Sequence, residues 1–476
     1  MALISPTNLL SLHKAAGDQT SSLQRFPSRR YHYASRNSRK LAVIPDPALF
    51  RALPNEDPGP KALPTSSECA VHLEMLEVFH ALRHEVIQSK ELDKAFGLKP
   101  SPRIKYRKKW INRKYVAEAV SMRDTTFDER RRLKWTYFLN IAATRFHQWI
   151  GIVDGCLKKV ADGVRPPKYL LLPPVDVLVV WHAFLLNCDD FKQHCAFYNL
   201  SHVQDIVFPW AEIHAAIDSN TWKYDLPLEH SHWLQKEYDI DANLAEALGD
   251  AAKIEGPFRT LLSSFHNRGE LTKVARNLPH PLFKIVRRAR KSEKLNEAIV
   301  KNVERQCIFV DKMHAHRWIR SPAVEGTLRR AVDRYDKFLH LFHLYPGQFI
   351  VPTLDVDLVW HTHQCSSQNY RTFVTDRVGR FINHDDKIGR GTLDHGFTHA
   401  EQWYRLRFGE QYQVCLCWSC EAILSAVEEL DGDVLDDDVD PPVADIVNKV
   451  QSKVHYYQEF ETARRLERVL PIWNHR

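Results

Sequence analysis

Two ten-residue segments, 179 residues apart, constrain the fold of this chain more than anything else in it. Pro173-Pro174-Val175-Asp176-Val177-Leu178-Val179-Val180-Trp181-His182 and Pro352-Thr353-Leu354-Asp355-Val356-Asp357-Leu358-Val359-Trp360-His361 share Pro, Asp, Val and a closing Trp-His pair in register. The likeness extends upstream, where Ala142-Ala143-Thr144-Arg145-Phe146 precedes the first and Ala331-Val332-Asp333-Arg334-Tyr335 the second, with a longer spacer in the first copy. A recurrence of this kind marks two related helical modules, approximately 68–200 and 300–380.

Local physics accounts for much of the motif. Proline suits a helix start and Thr353 is an N-cap candidate. Asp176 and Asp355 in a first turn favour the positive end of the helix dipole. A buried Trp181 or Trp360 needs a partner for its indole N–H, which His182 or His361 can supply. Capping and core stapling therefore explain Asp176, Trp181, His182, Asp355, Trp360 and His361 without any chemistry.

Apolar residues recur with helical spacing elsewhere. Thr65-Ser66-Ser67-Glu68 supplies caps ahead of Val71, Leu73, Leu76, Val78 and Leu82. Helical patterning continues at 126–162, 228–254, 291–318, 322–345, 394–427 and 444–470, and sustained two-residue alternation is almost absent. The fold class is mainly α: packed helices in two related modules, each carrying a Pro…Asp…Trp-His helix, with few or no strands. The expected divisions are a proline-broken leader at 1–65, a first helical module at 66–255, a second at 256–427 that includes a cysteine cluster, an acidic linker at 428–443, and a C-terminal helix at 444–476. The acid run in 428–440 lacks the glycine turn and terminal glutamate of an EF-hand loop and reads as a solvated linker.

The formal charge of +7 is concentrated at one end. Residues 1–44 hold seven basic side chains and one acid, so the rest is close to neutral. That balance argues against a general electrostatic drive toward nucleic acid or anionic membrane. The Arg/Ser-rich, acid-poor leader matches a mitochondrial transit peptide, the alternative to a cytoplasmic location. No stretch is apolar enough for a transmembrane helix. Nine scattered cysteines fit a reducing compartment better than a disulfide framework.

Three constellations carry candidate chemistry. In the second Trp-His segment Asp357 replaces Leu178 and His363 replaces Phe184, giving Asp355-x-Asp357-x-x-x-His361-x-His363, a carboxylate–imidazole set suited to zinc or non-haem iron. On a continuous helix Asp357 and His361 share a face, whereas His361 and His363 point apart by about 200°. Both histidines reach one ion only if the helix ends near Trp360; His314, His316 and His384 are further ligand candidates. His384-x-Asp386 with His395 or His399 gives the residue order of an iron facial triad. Cys415-x-Cys417-x-x-Cys420 is a zinc or iron–sulfur candidate lacking a fourth ligand, for which His395 and His399 are available; buried structural cysteines are the plainer reading. Arg103, Lys105, Arg107, Lys108, Lys109 and Trp110 form a basic, aromatic-interleaved run. It offers phosphate contacts and base stacking to RNA, or is simply a solvated loop or helix face. There is no P-loop, dinucleotide fingerprint or nucleophile elbow.

The same Trp-His segments, with Phe208-Pro209-Trp210, Trp318-Ile319-Arg320-Ser321-Pro322, Arg334-Tyr335-Asp336-Lys337-Phe338 and Cys415-x-Cys417-Trp418-x-Cys420-Glu421, resemble the glycine-rich domain-containing-protein-like (GRDP-like) family, and its fungal members in particular, over roughly residues 65–425. The resemblance implies no defined activity. Plant relatives are associated with stress and hormone responses, and some carry a glycine-rich tail or an RNA-recognition module. This chain, with 17 glycines, has neither. The sequence therefore points first to a noncatalytic scaffold that binds protein partners. A metal-dependent enzyme using Asp357, His361 and His363, with Asp355 orienting them, is the alternative, and an RNA-associated protein is the third reading.

Overall fold

A computed structural model describes residues 32–33, 47–53, 62–254, 256–267, 281–384, 390–433, 443–466 and 468–472. The leader is outside this set except for His32–Tyr33, which pairs antiparallel with Pro471–Ile472. Asp386 and most of the acidic run also lie outside it.

Seventeen helices dominate the described residues: α1 (Ser66–Gln88), α2 (Lys90–Ala95), α3 (Phe127–Ala161), α4 (Val175–Leu185), α5 (Cys188–Tyr198), α6 (Trp210–Ala216), α7 (Leu228–Tyr238), α8 (Leu244–Ile254), α9 (Gly256–Asn267), α10 (Pro281–Lys291), α11 (Glu293–His316), α12 (Val324–Leu344), α13 (Leu354–Gln364), α14 (Ser367–Val378), α15 (Arg390–Phe408), α16 (Trp418–Asp433) and α17 (Val443–Arg465). The protein is mainly α, as its periodicity requires.

The entry to α1 follows from its sequence. Thr65 Oγ1 accepts from the Glu68 N–H at 3.2 Å while Glu68 Oε2 accepts from the Thr65 N–H at 2.7 Å, a reciprocal capping box. The patterning at 126–162 becomes one helix, α3, about 50 Å long at the standard rise. The patterning at 228–254 is divided by Asp239, which takes a left-handed conformation (φ 56°), and that at 394–427 by Gly409 (φ 68°). The second break leaves 409–417 non-helical. The first residues of the acidic run extend α16 as far as Asp433. Helix α17 lies against α16, with Val450, Val454 and Phe460 buried.

One continuous apolar core runs from Leu49 to Val454. Helix α11 packs against α1, α3 and α4, and α12 packs against α1 and α13, so helices from both halves of the sequence share that core.

The segment 103–122 departs from expectation. It forms neither loop nor helix but a β-hairpin, β1 (Arg103–Ile111) paired with β2 (Lys114–Met122). Asn112 and Arg113 turn the chain with φ 47° and 59°, the left-handed pair a two-residue hairpin needs. Register places Ile104, Tyr106 and Trp110 on one face with Tyr115, Ala117 and Ala119, and Arg103, Lys105, Arg107 and Lys109 on the other. Lys108 interrupts the aromatic face, which is why the alternation is hard to read in so basic a run. All eighteen strand residues are exposed. At the hairpin's base Asp124 accepts from the Ser101 N–H and from Arg130. Replacing 103–122 by a short Gly-Ser linker is therefore expected to change unfolding free energy by no more than about 0.5 kcal/mol, the scale of ordinary surface changes. A large fall in the thermal midpoint would show that the ribbon supports the core.

Candidate metal centre and the buried histidines

The Trp-His helices, α4 and α13, are held in matching ways. Arg145 on α3 places Nε 2.9 Å from Asp176 Oδ2 and donates from Nη2 to the Asp241 carbonyl. Arg334 on α12 places Nε 2.6 Å from Asp355 Oδ2 and donates from Nη2 to the Tyr412 carbonyl. One turn further along each arginine's helix, Trp149 packs on Trp181 (ring centroids 5.1 Å apart) and Phe338 on Trp360 (5.7 Å). The two aspartates thus anchor their helices to arginines rather than serving only the helix dipole. Thr353 makes no cap bond; its hydroxyl accepts from Arg334 at 3.1 Å. The indole of Trp360 donates to Tyr370 Oη, not to His361.

That scaffold brings histidines together in the interior. His72, on α1, places Nε2 2.9 Å from His182 Nε2 and Nδ1 2.8 Å from Thr362 Oγ1. Thr362 donates its own proton to the Leu358 carbonyl, so it accepts from His72 Nδ1–H. A neutral His72 then has a bare Nε2, which accepts from His182 Nε2–H. Burial, reinforced by His361, drives the His182 pKa down to about 3, and burial with His182 and His361 drives His72 well below its usual value. Both rings are neutral in the native protein. His72 carried no local signal in the sequence, since its partners lie 110 and 290 residues away.

Beside this chain, Asp357, His361 and His384 converge. The two Nε2 atoms are 3.1 Å apart, and Asp357 Oδ1 lies 3.4 Å from His361 Nε2 and 3.8 Å from His384 Nε2. The His361 side chain is 2% exposed, His384 12% and Asp357 23%, so Asp357 is the most accessible of the three although its Oδ1 is buried. Burial pushes the Asp357 carboxyl up, but His361, His384 and Lys312 outweigh it and hold the pKa below the usual value. Phe309 closes the other flank, its ring 4.4 Å from that of His361.

The structure brings together Asp357 and His361 but not His363 or Asp355. Because α13 stays helical through Gln364, His363 points away and its Nδ1 lies 3.1 Å from Tyr335 Oη. Asp355 is committed to Arg334. The third ligand position is filled by His384, from the segment after α14. His314 is placed elsewhere, 2.8 Å from Glu77 and stacked on His80.

Cys415, Cys417 and Cys420 place their sulfurs within 4.8 Å of one another. They do so because α16 begins only at Trp418: a helical Cys415 would be turned off the shared face, whereas Cys415 and Cys417 lie in the non-helical segment before the helix. His395 and His399 are exposed on α15, the latter stacked on Trp403. The RNA candidates Arg103, Lys105, Arg107, Lys108, Lys109 and Trp110 all sit on the exposed hairpin, where Lys109 pairs with Glu118 at 2.9 Å and Trp110 packs on Tyr115.

Fold and site together define a class: a mainly α protein in which paired Trp-His helices surround a buried histidine cluster next to a two-histidine, one-carboxylate group. Residues 273–413, which contain that group, match the model of the GRDP-like family, glycine-rich domain-containing protein-like. The chain is similar to glycine-rich domain-containing protein 2 of Arabidopsis thaliana, 28% identical over 254 residues that cover 51% of this chain and 26% of the relative. It is also similar to glycine-rich domain-containing protein 1 of the same plant, 38% identical over 93 residues, 18% of this chain and 11% of the relative. The chain thus spans about a quarter or less of the length of these curated relatives. No solved structure matches significantly. Among the described residues no helix is long and apolar enough to cross a membrane.

Proposed function

We propose that this GRDP-like protein binds a divalent metal, iron or zinc, through Asp357, His361 and His384, and that its role depends on that metal. The convergence of one carboxylate oxygen and two imidazole Nε2 atoms supports this reading. Metal–nitrogen bonds of about 2.1 Å put cis nitrogens about 3.0–3.4 Å apart, which brackets the observed 3.1 Å. Three protein ligands leave positions for water or substrate, the composition of catalytic rather than structural centres. The partly exposed Asp357 side is where such a ligand would enter.

Metal analysis of untagged protein purified without chelator tests this. His361→Ala and His384→Ala are each expected to abolish bound iron or zinc at this site, while His363→Ala retains it. Equal metal content in wild type and His361→Ala/His384→Ala, with both folded, would end the proposal.

A second reading, the noncatalytic interaction role, is favoured by the hairpin at 103–122, whose basic and aromatic faces are both exposed. Loss of partner capture on its deletion, with metal content unchanged, would assign that role to the ribbon. Capture of RNA with a steep salt dependence would identify the partner as nucleic acid.

A further inference from the structure

The cysteine cluster has surroundings that its sequence does not display. Helix α11 ends at His316, and Arg317 turns the chain with a left-handed φ of 54°. Two indoles then tie this corner to the cysteine segment in opposite directions. Trp318 Nε1 donates to the Leu416 carbonyl at 3.0 Å, and Trp418 Nε1 donates to the His316 carbonyl at 2.7 Å. The His316 ring packs on Trp318, with ring centroids 5.2 Å apart, at the corner that these two indole bonds hold against the cysteine segment. The sulfurs of Cys415, Cys417 and Cys420 lie within 4.8 Å of one another beside this corner.

The packing that presents this segment is specific. Arg330 on α12 forks onto Glu421 (2.6 Å) and Glu428 (2.8 Å) of α16. Gly326 lets the two helices approach: a Cβ there would collide with Ser425 Oγ. All three cysteines are unbridged.

We propose that Cys415, Cys417 and Cys420 bind zinc and that His316, held at the same corner by the two indole bonds, swings in as the fourth ligand, a Cys3His site that clamps the start of α16 to the end of α11. The donor set is that of closed structural zinc centres, with four protein ligands and no open position. On binding, the thiols are deprotonated and their protons pass to solvent, while His316 coordinates as the neutral imidazole. The site is independent of the Asp357 centre and shares no ligand with it.

Zinc content and cobalt spectroscopy on the full chain test the assignment. The cluster is expected to hold one equivalent of zinc that is lost from the wild-type content in Cys417→Ser/Cys420→Ser and kept in His361→Ala/His384→Ala, so failure of one site is distinguishable from failure of the other. Wild-type protein stripped and reloaded with Co2+ alone should show an intense thiolate-to-cobalt charge-transfer band and the visible bands of a tetrahedral ion. His316→Ala should weaken Zn2+ binding by more than about tenfold, because even a group behind a ligand is worth that much. The proposal is overturned if fully reduced wild-type protein gives no thiolate–cobalt band, a result that needs no variant to fold. It is overturned equally if the double cysteine variant retains as much zinc as the wild type, if two of the thiols form a disulfide in place of zinc, or if His316→Ala leaves affinity and spectrum unchanged.

Discussion

Asp176→Ala is expected to cost about 3–5 kcal/mol of stability, the usual loss when one partner of a buried ion pair is removed. Asp176 is fully buried and the Arg145 side chain only 2% exposed, so the guanidinium left behind cannot recover its hydration. It would keep the Asp241 carbonyl and little else. Replacing both partners by apolar residues of similar size, Arg145→Met/Asp176→Leu, should recover most of the loss, since neither desolvation cost then remains. The equivalent Asp355→Ala should cost less. Arg334 is 11% exposed, retains the Tyr412 carbonyl and Thr353 hydroxyl, and lies over the Tyr404 ring. Urea unfolding midpoints of the four proteins decide the matter. If Asp176→Ala and wild type unfold at the same urea concentration, the pair does not anchor α4.

The second large effect is acid lability that sets in above the carboxylate range. His72, His182 and His363 are buried and neutral, with His182 and His363 at about 3 because burial opposes charging them. Their folded pKa lies below the ordinary 6.5, so the unfolded chain binds protons that the native state does not. Their contribution is fully present above pH 6.5 and declines as the pH falls toward the folded values. Each costs up to about 1.4 kcal/mol per pH unit in that window. The buried carboxyls Glu74 and Glu421, whose pKa burial raises, act in the opposite sense. Three histidines should still dominate between about pH 6.5 and 5. Unfolding free energy measured across that interval should fall steeply, and His363→Gln should reduce the slope by one proton. A flat profile from pH 7 to 5 would contradict the assignment of these rings as neutral and buried.

Much of the scaffold could be read directly. Helical periodicity, the capping box at Thr65–Glu68 and the recurrence of the Trp-His segments are local properties, set by residues within a turn or two of each other. The i,i+4 spacing of Asp357 and His361 placed them on one helix face, and the helix's continuation past Trp360 set His363 apart for the same reason. The hairpin was hidden because strand signals rest on alternation, and Lys108 broke the alternation within an already basic run.

What completed each candidate site came from elsewhere in the chain. His384 reaches His361 from beyond α14, His72 reaches His182 from α1, and two reciprocal indole bonds tie the corner that carries His316 to the cysteine segment. Nothing near His72 in sequence distinguishes it from any other histidine on an amphipathic helix. The sequence by itself determined the helices, the faces they bury and the residue types available as ligands, because those follow from backbone geometry and hydrophobic pattern. Only the tertiary structure decided which imidazoles, carboxylates and thiols meet, because that depends on the packing of helices far apart in the chain around one shared core.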